Sequence, residues 1–133
     1  MIAHGHDKLI SGVFITFSGN CKKALSFYQS CFGGLLQFES FGEVVNEYAE
    51  MPVVSGSLVS DRIIIHGSDL VHNEGRKLGN YMAIFFPCKS TFDRKVLLEK
   101  LKFNNEHFPV TGYDHQKLIE VTDAFDVRWI LGI

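Results

Sequence analysis

The chain has 133 residues, of which 46% are hydrophobic, and a formal net charge of −2. A chain of this length forms one domain and buries a sizeable core without staples. Its 13 basic residues are scattered, which argues against a nucleic-acid partner, and its longest apolar runs are far shorter than the roughly 20 residues that span a bilayer.

The N-terminal residues and the cysteines indicate a cellular compartment. Residues 1–9 are polar and lack the apolar region of a signal peptide. The three cysteines are an odd number without zinc-like spacing, which fits free thiols in a reducing environment. We therefore expect a cytoplasmic protein with no membrane partner.

The first half of the chain opens with a strand and an amphipathic helix. Residues 10–17 alternate in polarity and are rich in β-branched and aromatic side chains, which predicts a strand. After the break at residues 18–20, Asn20 is placed to cap a helix. Gly33 supplies the left-handed residue that ends helices. The helix has one apolar face, formed by Cys21, Ala24, Leu25, Tyr28 and Cys31.

Three further strands are predicted before a linker. Residues 35–41 resume an extended pattern, and residues 42–52 predict an acidic loop or short helix over a cavity mouth. Residues 53–59 and 62–66 predict a hairpin around Ser60 and Asp61. Residues 67–80 contain three glycines and are the best candidate for a linker between two halves.

The second half repeats this plan. Residues 81–86 predict a strand, which Pro87 stops. Ser90 and Asp93 resemble a capping box that starts a helix ending near Lys102. Three more strands are then predicted, the last two joined by residues 123–126. These three strands cover residues 107–112, 116–122 and 127–133. The whole chain is predicted to be a single α+β domain with two halves, at about residues 10–67 and 80–133.

Two motifs, one near each end of the chain, can be compared with known families. Their residues are Phe17, Gly19, Asn20, Cys21, Ala24, Leu25, Phe27, Tyr28, Phe32, Gly33, Gly34, Val121, Thr122, Asp123, Phe125, Val127 and Trp129. In these residues the chain resembles the vicinal oxygen chelate superfamily, and within it the PhnB-like branch of glyoxalase/bleomycin-resistance-type proteins. This resemblance implies two βαβββ modules forming a curved mixed sheet around a cavity, a homodimer and a small-molecule ligand.

Enzymes of this superfamily commonly hold a divalent metal with His, Gln and Glu side chains. In this chain the corresponding positions fall at or beside Val13, near Met82 and at Ile130, and a third-strand His of PhnB-like proteins is replaced by Ser55. Apolar side chains cannot provide nitrogen or oxygen ligands. We therefore predict no metal and no other cofactor, and a displaced divalent-metal site remains the alternative.

His66 and Glu120 are the candidates for acid–base chemistry. His66 ends an apolar strand, and its imidazole can handle protons near neutral pH if it faces the cavity. Glu120 precedes the last turn, and an inward-facing carboxylate there would need Arg128, Arg62 or His66 as its partner. A structural histidine and a solvent-exposed glutamate are the alternatives.

Aromatic residues and one cysteine complete the candidate site. Tyr113 and Trp129, with Phe14, are expected to line a ligand-binding cavity together with Ser55 and His66, although core packing is common for aromatic residues. Cys21 begins the first helix, where the helix dipole lowers a thiol pKa, but its spacing favours packing. Asp126 stands where relatives usually have glycine, and Asp tolerates the left-handed conformation.

Three functions follow from this pattern. The favoured one is a binding module that holds a small, partly apolar molecule without a metal. The principal alternative is a lyase, isomerase or dioxygenase-type enzyme that uses a displaced metal or the pair His66 and Glu120. PhnB-like sequences are often labelled as demethylubiquinone methyltransferases, but no glycine-rich nucleotide loop follows a strand here. A structural interaction domain is the third alternative.

Overall fold

The computed structural model of the protein describes residues 10–40, 53–69, 78–102 and 116–133. The chain forms two compact units, Met1–Lys77 and Leu78–Ile133, whose boundary falls in the predicted linker. The class is α+β, as predicted. The described elements are β1 Val13–Thr16, α1 Cys21–Phe32, β2 Leu35–Ser40, β3 Val53–Val59, β4 Ile64–Ser68, β5 Ile84–Pro87, α2 Thr91–Leu101, β6 Leu118–Thr122 and β7 Arg128–Gly132.

Some sequence predictions fall outside the described residues. These are the acidic segment at 42–52 and the strand at 107–112. Within the described residues, neither helix has the length and apolar character needed to cross a membrane.

The first unit is built on a four-stranded sheet, sheet A, with the strand order β1-β4-β3-β2. β1 is parallel to β4, and the other neighbours are antiparallel. Helix α1 covers one face of this sheet, where Ile15, Leu58 and Ile65 are buried. A Cβ atom at Gly56 would lie 2.9 Å from Leu25 Cδ1 of α1, so the helix packs closely on the sheet.

The start of α1 differs from the sequence prediction. The sequence predicts Asn20 as the cap of the helix, but its side chain makes no capping hydrogen bond, and its buried Oδ1 atom has no hydrogen-bond partner in the described part of the chain. Asp69 does this instead, since its Oδ1 atom accepts hydrogen bonds from the backbone N–H groups of Gly19 and Cys21, both at 2.9 Å. Its Oδ2 atom accepts the backbone N–H of Val53 at 3.1 Å. A carboxylate beyond β4 therefore joins the starts of α1 and β3.

The end of α1 agrees with the sequence prediction, whereas β1 begins at Val13 and not at residue 10, and β4 covers Ile64–Ser68 and not residues 62–66. Gly33 ends α1 with a φ of 73°, as predicted. The turn between β3 and β4 is shifted by one residue from the prediction, because the backbone N–H of Ser60 donates to the carbonyl of Ile63 at 3.0 Å. Asp61 and Arg62 therefore occupy the two central positions of the turn.

The second unit contains sheet B, a three-stranded sheet with the order β5-β7-β6. β5 runs parallel to β7, and β6 is antiparallel to β7. Phe86, Val121, Trp129 and Leu131 are buried in this unit. Helix α2 begins as predicted, since Ser90 Oγ accepts the backbone N–H of Asp93 at 3.0 Å.

The turn between β6 and β7 is organised by a buried aspartate. Asp123 Oδ1 accepts the backbone N–H groups of Phe125 and Val127 at 2.8 and 3.2 Å. Its Oδ2 atom accepts the indole N–H of Trp129 at 2.8 Å. Asp126 has a φ of 66°, which confirms the expected left-handed residue.

Candidate functional site

The candidate site lies on the face of sheet A that is turned away from α1, which we call the helix-free face. Side chains alternate between the two faces of a strand, and residues paired across strands share a face. The observed register therefore assigns one set of side chains to this face. They are Phe14, Thr16, Leu35, Gln37, Glu39, Ser55, Ser57, Val59, Ile64, His66 and Ser68.

Four of these residues form one continuous row across the sheet, which we call the middle row. Phe14 pairs with His66, His66 with Ser57, and Ser57 with Gln37. Adjacent strands lie about 4.8 Å apart, so the row extends over roughly 14 Å. An aromatic ring, an imidazole, a hydroxyl and a carboxamide thus lie side by side, a combination that can contact an apolar group and hydrogen-bond a polar one.

The polar groups of the middle row take no part in the hydrogen bonds between the residues that the structure describes. Among the described residues, the side chains of His66, Ser57 and Gln37 have no hydrogen bond or ion pair. Ser57 is buried, His66 is half-buried, and Phe14 is 60% exposed. Buried polar groups are normally hydrogen-bonded, so these side chains are suited to receive partners from a bound molecule.

Gly12 allows the imidazole to occupy its position. A Cβ atom at Gly12 would lie 3.2 Å from His66 Cδ2 and 3.0 Å from the carbonyl oxygen of Ile64. A side chain at this position would therefore press on the imidazole or on the β4 backbone. Glycine before β1 thus keeps the space beside His66 clear.

The rows on either side of the middle row differ in polarity. On one side, Leu35 pairs with Val59, and Val59 with Ile64, which gives an apolar row. On the other side, Glu39 pairs with Ser55, and Thr16 with Ser68, which gives a polar row. Polarity therefore increases along the strands, from the apolar row through the middle row to the polar row.

The predicted site residues are thus distributed unequally. Phe14, Ser55 and His66 share the helix-free face of sheet A. Trp129 lies instead in the core of the second unit, where it is completely buried and donates to Asp123. Trp129 lies on the face of sheet B that carries the buried side chains of this unit, so its ring is packed in the core and is not presented to solvent. Tyr113 lies outside the described residues.

Glu120 belongs to the second unit and is held in an ion pair. Its carboxylate receives two contacts from Arg128, at 2.9 Å from Nη2 and at 3.1 Å from Nε. The hydrogen bond from Arg128 lowers the pKa of Glu120. The same guanidinium donates to the carbonyl of Met82 at 3.1 Å. Of the three possible partners of Glu120 that the sequence suggested, Arg128 is therefore the one it contacts. This ion pair lies at the surface of the second unit.

The residues at the expected metal positions do not fit a metal. Val13 pairs with the buried Ile65 on the side of sheet A that faces α1. Met82 is exposed before β5, and Ile130 pairs with Phe85 in sheet B. None of the three carries a nitrogen or oxygen ligand. Within the four described ranges, no group of three or more His, Cys, Asp or Glu residues is arranged to hold an ion.

Cys21 is a packing residue. Its side chain is fully buried, and burial, together with the nearby Asp69 carboxylate, raises the pKa of its thiol from 9.0 to about 12. The carboxylate at the helix start thus opposes the effect expected from the helix dipole. Reactive thiols have the opposite environment, with a positive charge and partial exposure.

Sequence reasoning missed three important residues. Gln37 and Ser57 enter the site through strand pairing, and Asp69 caps a helix that begins 48 residues earlier. Ser57 has the same strand parity as Ser55, which is a signal that was present in the sequence. The pairing partner of Gln37 and the contact of Asp69 depend on long-range register, which no local pattern contains.

Comparisons with known proteins agree on the fold. The chain is similar to protein PA1353 from Pseudomonas aeruginosa, with a TM-score of 0.70 and 22% identity over 94% of this chain and 97% of that one. A PhnB protein from Bacillus cereus, named as a 3-demethylubiquinone-9 3-methyltransferase, gives a TM-score of 0.67 and 18% identity over 92% and 97%.

A third similar structure is a glyoxylase/bleomycin resistance protein/dioxygenase domain from a Frankia species, with a TM-score of 0.55 and 17% identity over 95% of this chain and 93% of that one. No protein-family model and no curated protein matches the sequence. At these identities the likeness establishes the fold, which is the glyoxalase-type fold of PhnB-like proteins, as the end motifs predicted.

Proposed function

We propose that this protein binds a small, partly apolar molecule on the helix-free face of sheet A, without the metal site that is usual for glyoxalase-type enzymes. The observation that carries the proposal is the middle row, in which Phe14 adjoins three polar side chains that make no hydrogen bond among the described residues. Ligand sites typically combine apolar surface with a few well-placed polar groups.

The state of Glu120 favours binding over catalysis. An acid–base enzyme needs ionisable groups that converge with perturbed pKa values. The pKa of Glu120 is lowered by its hydrogen bond from Arg128, which favours the ionised form and makes this carboxyl a poor general acid. Because Arg128 already holds the carboxylate, a second role as a base would require the ion pair to break.

A fragment screen by NMR on the full chain tests this proposal. We expect small aromatic fragments to shift the amide resonances of β1, β3 and β4. Phe14→Ala should weaken binding about fivefold, because it removes an aromatic contact, and Gln37→Ala should weaken hydrogen-bonding fragments. Phe92→Ala is the matched control, because Phe92 is 74% exposed on α2. Fragments that bind elsewhere, or equal affinities for the variants, would contradict the proposal.

Metal analysis tests the second part of the proposal. Protein purified without chelator should contain far less than one equivalent of Zn, Mn, Fe or Ni, because the expected ligand positions are apolar. A stoichiometric metal would overturn this part and favour the enzymatic alternative.

The fold similarity also supports proposals about assembly and compartment. We infer a homodimer, because the resemblance to PhnB-like proteins implies one. We also infer a cytoplasmic location, because Cys21, Cys31 and Cys88, which all lie in the described ranges, form no disulfide bond. Light scattering on the purified protein tests the first, and a monomer at micromolar concentration would contradict it. Fractionation of the source cells tests the second, and recovery outside the cytoplasm would contradict it.

A further inference from the structure

The helix-free face of sheet A also indicates which class of molecule it selects, an inference that rests on the proposed function. Among the described residues of this face, Glu39 is the one residue with a formal charge, and neither lysine nor arginine is present. Sites that recognise carboxylate or phosphate groups normally present arginine, lysine or clustered backbone N–H groups. The described part of this face presents neither side chain.

The rows give the ligand a direction. The apolar row of Leu35, Val59 and Ile64 is separated from the middle row by two residues along the strands. The polar row is separated from the middle row by two residues in the opposite direction. Since a strand rises about 3.4 Å per residue, the apolar and polar rows are roughly 14 Å apart.

The polar row is suited to a head group that donates hydrogen bonds. Glu39 is a pure acceptor when ionised, and Ser55, paired with it, can accept as well. Ser68 donates to the carbonyl of Val53, at 3.4 Å, and is buried, so the accessible acceptors of this row are Glu39 and Ser55. An ammonium or hydroxyl group meets acceptors here, whereas a carboxylate would meet the like charge of Glu39.

We propose that the site selects an elongated amphipathic molecule whose polar end is an amine or alcohol and not a carboxylate or phosphate. Its apolar end lies over Leu35 and Val59, its centre lies against Gln37 and Ser57, and its polar end lies toward Glu39 and Ser55. The ligand class is therefore cationic or neutral.

Three probes of equal length test this class: 3-phenylpropylamine, 3-phenylpropanol and 3-phenylpropanoate. Each is titrated at pH 8 into the full-length protein and followed by NMR. Ligands of this size bind weakly, with Kd values on the order of millimolar. We expect the amine and the alcohol to shift resonances of sheet A, and the propanoate to bind at least about threefold more weakly than the amine, as one exposed like charge allows.

The variant Glu39→Gln separates charge from shape. It should weaken the amine about threefold and leave the alcohol unchanged. Glu99→Gln is the matched control, because Glu99 is an exposed carboxylate on α2. Leu35→Ser should weaken all three probes alike, because Leu35 is 73% exposed at the apolar row.

The outcomes distinguish this inference from the proposed function. If the propanoate binds sheet A as tightly as the amine, or Glu39→Gln leaves the amine unchanged, the inferred ligand class is wrong while the binding function stands. If none of the three probes shifts resonances of sheet A, the proposed function fails and this inference fails with it.

Discussion

The helix-free faces of the two sheets differ in chemistry although the two halves share a plan. In the middle row of sheet A, the polar side chains of His66, Ser57 and Gln37 have no hydrogen-bond partner among the described residues. On the corresponding face of sheet B, the register groups Phe85, Leu118 and Ile130 with the ion pair of Glu120 and Arg128. Charges that satisfy each other have little to offer a ligand, so the contrast supports the proposal that a ligand binds to the first unit.

The two helices begin in equally different ways. Helix α2 is capped by its own neighbours, since Ser90 Oγ accepts from Asp93, and Asp93 Oδ2 accepts the backbone N–H of Lys89 at 2.9 Å. Helix α1 depends on Asp69, which is 48 residues from Cys21 and almost fully buried. The first helix start therefore forms only when β4 is in place, whereas the second is encoded locally.

The largest expected effect of this difference concerns Cys21. Its thiol pKa is raised from 9.0 to about 12, so below pH 9 its thiolate fraction is about a thousandfold lower than that of an ordinary cysteine. We expect native Cys21 to resist iodoacetamide at pH 8, while urea-unfolded protein reacts at the normal rate. Peptide mass spectrometry measures this, with half-buried Cys31 as the internal comparison. Equal labelling of Cys21 in both states would contradict the account.

Asp69→Asn should cause the next largest effect. The substitution replaces one carboxylate oxygen with an NH₂ group, which cannot accept a hydrogen bond from the N–H of Val53 or those of Gly19 and Cys21. Hydrogen bonds to buried charged groups are valuable, so we expect a loss of about 3 kcal/mol in the free energy of unfolding. Urea denaturation measures the loss, and Asp61→Asn in the exposed turn is the matched control. If the free energy of unfolding changes by less than about 0.5 kcal/mol, Asp69 does not stabilise the start of α1 as described here.

Ser90→Ala probes the local cap of α2 and should have a smaller effect. Loss of an N-cap side chain costs about 1 kcal/mol, and the cost should be the same whether or not Asp69 is substituted, because distant sites contribute independently. Thr91→Ala, one residue later, is the control and should change little. A double variant whose loss differs from the sum by more than about 0.5 kcal/mol would show that the two helix starts are coupled.

Glu120→Gln should have the smallest effect, since its ion pair is exposed. The pKa of Glu120 is lowered from 4.5 by Arg128, so the pair's stabilising contribution is present above pH 4.5 and is lost as the pH falls below it. The difference in melting temperature between wild type and variant should therefore be small at pH 7 and vanish in acid. A difference that grows on acidification would contradict the assigned ion pair.

Local signals in the sequence were sufficient for most of the fold. The apolar spacing from Cys21 to Cys31, Gly33 and the Ser90 cap each depend on neighbours within a few residues, and the structure confirms all three. The roles predicted from the sequence for Asn20 and Trp129 differ from those in the structure, because the same residue type occurs in several environments. Asp69 caps α1 in place of Asn20. Trp129, which was expected to line the cavity, lies buried in the second unit and donates its indole N–H to Asp123.

The candidate site was only partly predictable for a related reason. The strand pattern suggested His66, and the family resemblance suggested Ser55. A one-residue change of register, however, moves every side chain to the other face. Gln37 joins the site because β2 pairs with β3 in one particular register. Such pairing is set by the packing of the whole unit, which local patterns do not specify.

A crystal structure of the full chain with its tightest-binding fragment tests the central claim most directly. The account predicts density for the fragment over the middle row, in contact with Phe14 and with hydrogen bonds to His66, Ser57 or Gln37. It also predicts no cation between the fragment and the protein. A fragment held by a metal on histidine or carboxylate ligands, or bound away from the helix-free face of sheet A, would contradict it.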